Sequence, residues 1–160
     1  MGFNEYLKED FNIGNPPTDA MLKNRIVPII NENDTVSIKE LMFTDNDELS
    51  GLVAEMMKAQ LLIILSNVDG VFTGNPDEPE SELIRIVEAE DDYSQCVSAS
   101  KSKYGRGGMM TKMKTAKQVA VNGIEVRIAN GTRQNILLDV ILNPENAVCT
   151  RFLTHKTKKQ

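Results

Sequence analysis

The 160-residue chain reads as an α/β protein built on a mostly parallel sheet flanked by helices. Two uninterrupted apolar runs, residues 26–30 and 61–65, have the length and β-branched or leucine-rich composition of strands buried on both faces. Elsewhere apolar residues recur at helical spacing, as Leu49, Leu52, Val53, Met56 and Met57, and again as Met109, Met113, Ala116 and Ala120. A hydrophobic content of 41% at this length is enough for one core.

Each element follows in order. Residues 1–20 are polar, and Gly14, Asn15, Pro16 and Pro17 interrupt regular structure, so they read as a leader or loop, with order starting near Asp19. Residues 26–30 predict a buried strand ending in the tetrad Asn31-Glu32-Asn33-Asp34. An extended piece over 38–43 precedes Thr44-Asp45-Asn46-Asp47, where Asp45 and Glu48 fit a capping box for the helix that follows. Residues 61–65 predict a strand at the centre of the sheet, ending in Ser66-Asn67-Val68-Asp69-Gly70. The polar, aperiodic stretch 88–108 predicts a long loop. The next helix starts at Met109 and stops at Asn122-Gly123. Ile124, Val126 and Ile128 alternate as a strand, Asn130-Gly131 turns, residues 136–142 form a helix closed by Asn143-Pro144, and 147–153 form a last strand. The organised region is therefore 21–153, followed by a basic tail, 154–160.

Composition narrows the chemistry. A net charge of −5, with Lys and Arg scattered outside the C-terminus, speaks against nucleic acid as a partner. Cys96 and Cys149 have neither CxxC spacing nor neighbouring histidines, so no metal site or disulfide framework is expected. The N-terminal residues lack a signal-peptide core, and no run approaches the ~20 apolar residues of a membrane span. The expectation is a cytoplasmic protein with reduced thiols and no membrane partner. His155 is the one histidine and lies in the tail, which removes histidine-based triads and general bases. The acidic run over 88–92 reads as solvated surface, and Met56, Met57, Met109 and Met113 as core.

Two constellations carry chemistry. In YGRGGMMTK, residues 104–112, a glycine turn at a helix start can aim backbone N–H groups at an anion, with Lys112 beside it. The segment does not match the P-loop pattern, and a simple hinge is the alternative reading. The NEND and TDND loops gather Glu32, Asp34, Asp45 and Asp47 with three asparagines. Capping and turn chemistry explain such residues, as does binding of a small polar substrate; calcium fits poorly because Ser50 stands where an EF-hand loop needs glycine. In an open parallel sheet, ligands gather outside the carboxyl ends of strands, where the loops 31–34, 44–47 and 66–70 fall at or near strand ends and helix starts.

Together, IVPIINENDTV, FTDNDELSGLVA, LLIILSNVDGVFTGNP and GRGGMMTKMKTAK resemble the amino-acid kinase family over about Leu22 to Phe152, and the NEND and DND pair its glutamate-phosphorylating branch. The resemblance implies an amino-acid kinase (carbamate kinase-like) fold and transfer of the ATP γ-phosphate to the γ-carboxylate of glutamate, with Mg²⁺ travelling on the nucleotide. It matches Asp34 and Asn46 to glutamate-binding residues, Asp47 to the aspartate that orients the catalytic lysines, and Lys112 to a transition-state lysine. Ser66 and Asn67 match the nucleotide-contacting pair, where Thr-Asp is usual. Arg106, Gly107, Gly108, Met109, Met110, Thr111 and Lys112 match the nucleotide segment, with Arg106 in place of the usual threonine. No residue is matched to a protein-held metal. The family's Lys-x-Gly-Ser strand, its glutamate-binding serine loop and a C-terminal PUA domain have no counterpart here, so the fold is expected in truncated form. That leaves a partial kinase, a non-catalytic nucleotide-binding fragment or another amino-acid kinase, with homo-oligomers or association through an exposed face.

Overall fold

The computed structural model describes residues 17–31, 46–88, 91 and 108–154. The chain divides into two units, residues 1–33 and 34–160.

Among the described residues of the first unit, the helix α1 (Pro17–Lys23) starts two residues before the expected onset of order. Proline at the first helical position costs nothing, since its missing N–H would have no partner there and its fixed φ suits the helix. The helix closes with Arg25 in the left-handed region at φ 59°. The Ile26 N–H donates to Met21 O at 2.9 Å and the Arg25 N–H to Leu22 O at 2.9 Å, a Schellman closure. The strand expected over 26–30 does not form: these residues have no regular secondary structure, and Val27 and Ile29 are 83% and 96% exposed. Apolar composition states a preference, but a strand exists only through a ladder, and Pro28 has no N–H to give one.

The second unit is a sheet between helices. Its described strands are β1 (Leu61–Ser66), β2 (Ile86–Val87), β3 (Glu125–Asn130) and β4 (Cys149–Phe152), in the order β1-β3-β4-β2. β1 runs parallel to β3 and β2 parallel to β4, while β3 and β4 are antiparallel. The sheet is mostly parallel, as expected. The position of β1 is not: it lies at the edge of the described sheet, and β3 and β4 take the interior places. Residues 126–129 of β3 are all buried, so the expected in–out alternation gives way to burial on both faces.

Among the described residues, three helices make the outer layers: α2 (Asn46–Met56), α3 (Met109–Val121) and α4 (Ile136–Leu142). Ala54 of α2 and Met113, Ala116, Val119 and Ala120 of α3 share one core with Ile64, Val126, Ile128 and Phe152. Ile136 and Val140 of α4 share another with Ala129, Ala147 and Cys149 on the opposite face. The methionine expectation holds for Met113, which is buried, and in part for Met109, which packs against the first core. α2 and α3 approach closely at Gly51: a Cβ there would stand 2.8 Å from Thr115 Cγ2 and 3.1 Å from Val119 Cγ2. Both helices end in Schellman closures, with Lys58 at φ 50° and Gly123 at φ 89°. The capping residue Asp45, the extended piece over 38–43, Cys96, His155 and most of the loop 88–108 lie outside the described residues.

Candidate active site

The close seam between α2 and α3 sets the first part of the site. Asp47 lies one turn before Gly51, and Lys112 one turn before Thr115 and Ala116, so the packing that brings Gly51 onto Thr115 also aligns these two side chains. Lys112 Nζ donates to Asp47 Oδ2 at 2.7 Å. Both side chains are largely covered, 18% and 16% exposed, which strengthens the pair relative to one in open solvent. A second pair along the seam, Lys114 with Glu48, is 3.8 Å long and exposed on the lysine side. Asn46 opens α2 and is exposed.

Gly108 is the N-cap of α3 and makes no side-chain capping bond. The Thr111 N–H donates to Gly108 O at 3.0 Å. The first turn carries no acidic residue of its own, and the positive end of a helix dipole with its N–H groups is an arrangement suited to phosphate. Met109 and Thr111 are half-buried there and Met110 is 39% exposed.

The second part lies at the carboxyl ends of β1 and β3. Their ladder ends at Ser66↔Asn130, and the Gly131 N–H adds one bond to Ser66 O at 2.8 Å. Ser66 is half-buried, and its Oγ donates to Oδ1 of the exposed Asn67 at 3.4 Å. Three residues past the ladder on each strand stand Asp69 and Arg133. Arg133 Nε reaches Asp69 Oδ1 at 2.6 Å and Nη2 reaches Oδ2 at 2.5 Å, a bidentate fork, and Asn130 Nδ2 adds 3.1 Å to Oδ1. The Arg133 bonds hold the Asp69 carboxyl below its ordinary pKa, against partial burial that pushes it up, with Asn130 assisting.

Of the residues expected in the site, Asp47 and Lys112 are brought into direct contact. Ser66 and Asn67 sit at the end of β1, and Asn46 and residues 108–111 head their helices. Asp34, Arg106 and Gly107 lie outside the described residues. The pairing of Asp69 with Asn130 and Arg133 escaped sequence reasoning, although the parallel pairing of two strands that both end in Asn- or Asp-containing loops was the signal that could have joined them. Among the described residues, no three His, Cys, Asp or Glu side chains gather as a metal site, and no helix is long and apolar enough to cross a membrane.

The model of the amino acid kinase family matches residues 6–130. Glutamate 5-kinase of Bacteroides thetaiotaomicron is 58% identical over 134 residues, which cover 84% of this chain and 37% of that protein. The enzymes of the same name from Chlorobaculum tepidum and Clostridium perfringens are 46% and 40% identical, covering 88% and 86% of this chain and 38% and 53% of theirs. The chain thus spans roughly two-fifths to one-half of the length of these relatives. Among solved structures, an isopentenyl phosphate kinase superposes with a TM-score of 0.61 at 21% identity over 84% of this chain and 49% of that one. UMP kinase of Ureaplasma parvum superposes with a TM-score of 0.56 at 14% identity over 85% and 51%. At such identities the superpositions speak for the fold alone, and sequence and fold agree that the chain belongs to the amino acid kinase family.

Proposed function

We propose that the chain is part of a glutamate 5-kinase, which transfers the γ-phosphate of ATP to the γ-carboxylate of glutamate and so opens proline biosynthesis with glutamyl 5-phosphate. The observation that carries this reading is the covered Lys112–Asp47 pair at the head of α3, in a chain 58% identical over most of its length to an enzyme of that name. Phosphoryl transfer asks a protein mainly for positioning and for neutralisation of charge on the moving group. In this reading the ammonium of Lys112 supplies the charge, and Asp47 fixes its direction. Gly108 and the first turn of α3, with Arg106 and Gly107 before it, cradle the nucleotide phosphates, and Ser66 and Asn67 contact the nucleotide at the end of β1. Asn46 and Asp34 hold glutamate, whose carboxylate is already ionised at neutral pH and needs no general base. Magnesium arrives on the nucleotide and shares the neutralisation of its phosphates. The setting is cytoplasmic, and the partners are glutamate, ATP and further copies of the chain that associate through faces left uncovered here, such as the exposed Leu138 and Leu142 of α4. Sedimentation that returns a monomer at every concentration would remove the association.

A second reading is a nucleotide-binding fragment without turnover. Incubating the purified chain with Mg·ATP and glutamate, and trapping acyl phosphate with hydroxylamine, separates the two. Hydroxamate that disappears in Lys112→Ala supports catalysis. Nucleotide binding without hydroxamate supports the second reading, and hydroxamate from a different acid would make the chain another amino-acid kinase.

A further inference from the structure

Resting on the reading of Ser66 and Asn67 as nucleotide contacts, we propose that Asp69, Arg133 and Asn130 form a positioning latch that fixes the loop carrying those contacts. The β1–β3 ladder stops at Ser66↔Asn130, and past the Gly131 N–H bond to Ser66 O the two loops leave the sheet. Asp69 restores the connection. Its carboxylate accepts the Arg133 fork at 2.6 and 2.5 Å and the Asn130 amide at 3.1 Å. Asn130 is itself fixed, because its Oδ1 accepts the Thr132 N–H at 3.0 Å and the Thr132 hydroxyl at 2.7 Å.

The far end of the loop is pinned as well. Thr150 Oγ1 accepts the Val71 N–H at 2.8 Å and donates to Ile84 O at 2.6 Å. Gly70, at φ 154°, packs so tightly that a Cβ would stand 2.4 Å from that hydroxyl oxygen. Asn67 and Val68 are therefore held between the end of the ladder at Ser66 and the latch at Asp69. With Arg133 45% exposed, the pair adds little to global stability. What the bidentate geometry adds is orientation, which a lysine cannot reproduce.

Two measurements on the full chain test the latch. In hydrogen exchange without ligand, Asp69→Asn and Arg133→Lys should each speed exchange across residues 66–70 while α3 and β3 keep their protection. In fluorescence titration with trinitrophenyl-ATP, each should weaken binding about tenfold, as expected when a contact group is misplaced rather than removed. The exchanged pair, Asp69→Arg with Arg133→Asp, should recover part of that loss. Unchanged exchange over 66–70, or binding within twofold of wild type in both single variants, overturns the proposal. A wild-type chain that binds no nucleotide while Asp69→Asn still loosens the loop instead overturns the functional reading, and the latch loses its role with it.

Discussion

Lys112 and Asp47 gain their value from being covered together. An isolated ammonium in that setting would lose solvation without return, whereas a carboxylate at 2.7 Å gives it a partner and a fixed direction. Removing the ammonium by Lys112→Met should lower phosphoryl transfer by about 10²–10³-fold, the usual cost of losing one fixed charge at a transition state. Asp47→Asn keeps the shape but not the charge, so it should cost less in rate and about 1–2 kcal/mol in stability, because a covered lysine is left with a weaker partner. Steady-state assay and urea unfolding of both variants check these expectations. The lysine could be singled out from its place after the glycine turn. Its contact with Asp47 was legible only through the family resemblance, because 65 residues separate the two and no local pattern joins them.

Elements meet here through a few demanding contacts. At the α2–α3 seam, Gly51→Ala would gain up to about 1 kcal/mol in helix propensity. It would also press a methyl group against the stiff, β-branched Thr115 and Val119, which costs about 1–3 kcal/mol. The balance is a net loss of about 1 kcal/mol, measurable as a lower urea midpoint. Between β3 and β4 the register sets Arg127 opposite Arg151, a like-charge pair that would weaken the ladder. Glu125 resolves it: one carboxylate oxygen accepts Arg127 Nε at 2.8 Å and Arg151 Nε at 3.1 Å. Burial pushes the Glu125 carboxyl up, but the two arginines outweigh it and hold its pKa below the ordinary value. Glu125→Gln should therefore destabilise by about 2 kcal/mol, since two covered guanidinium groups lose their shared anion.

For the whole molecule, the alternation of apolar runs and amphipathic stretches was enough to foresee helices on both faces of a mostly parallel sheet. The bounds of α4 match residues 136–142 as expected. Pairing was less legible. Nothing local distinguishes an edge strand from a central one in Leu-Leu-Ile-Ile-Leu, or says that residues 26–30 find no ladder, because both depend on chain far away in sequence. The closures at Arg25 and Lys58 were hidden for another reason: the sequence signal for a left-handed cap is glycine, and these helices use long cations instead. Charge gives the molecule a common pH response. Glu125, and to a small extent the more exposed Asp69 pair, have folded pKa values below the ordinary 4.5 and 3.8, so their stabilisation is complete above about pH 5 and is lost as pH falls through the lowered values. Urea midpoints should stay flat from neutral pH to about 5 and fall steeply below 4, with a shallower fall in Glu125→Gln.

Binding of Mg·ATP to the purified chain, followed by calorimetry in wild type and Lys112→Ala, bears most directly on the idea that the head of α3 is a nucleotide-phosphate element. One saturable site is expected, weakened at least about tenfold by the substitution while the helical circular dichroism is kept. Equal binding by the two proteins, or no binding by the wild-type chain, would contradict it.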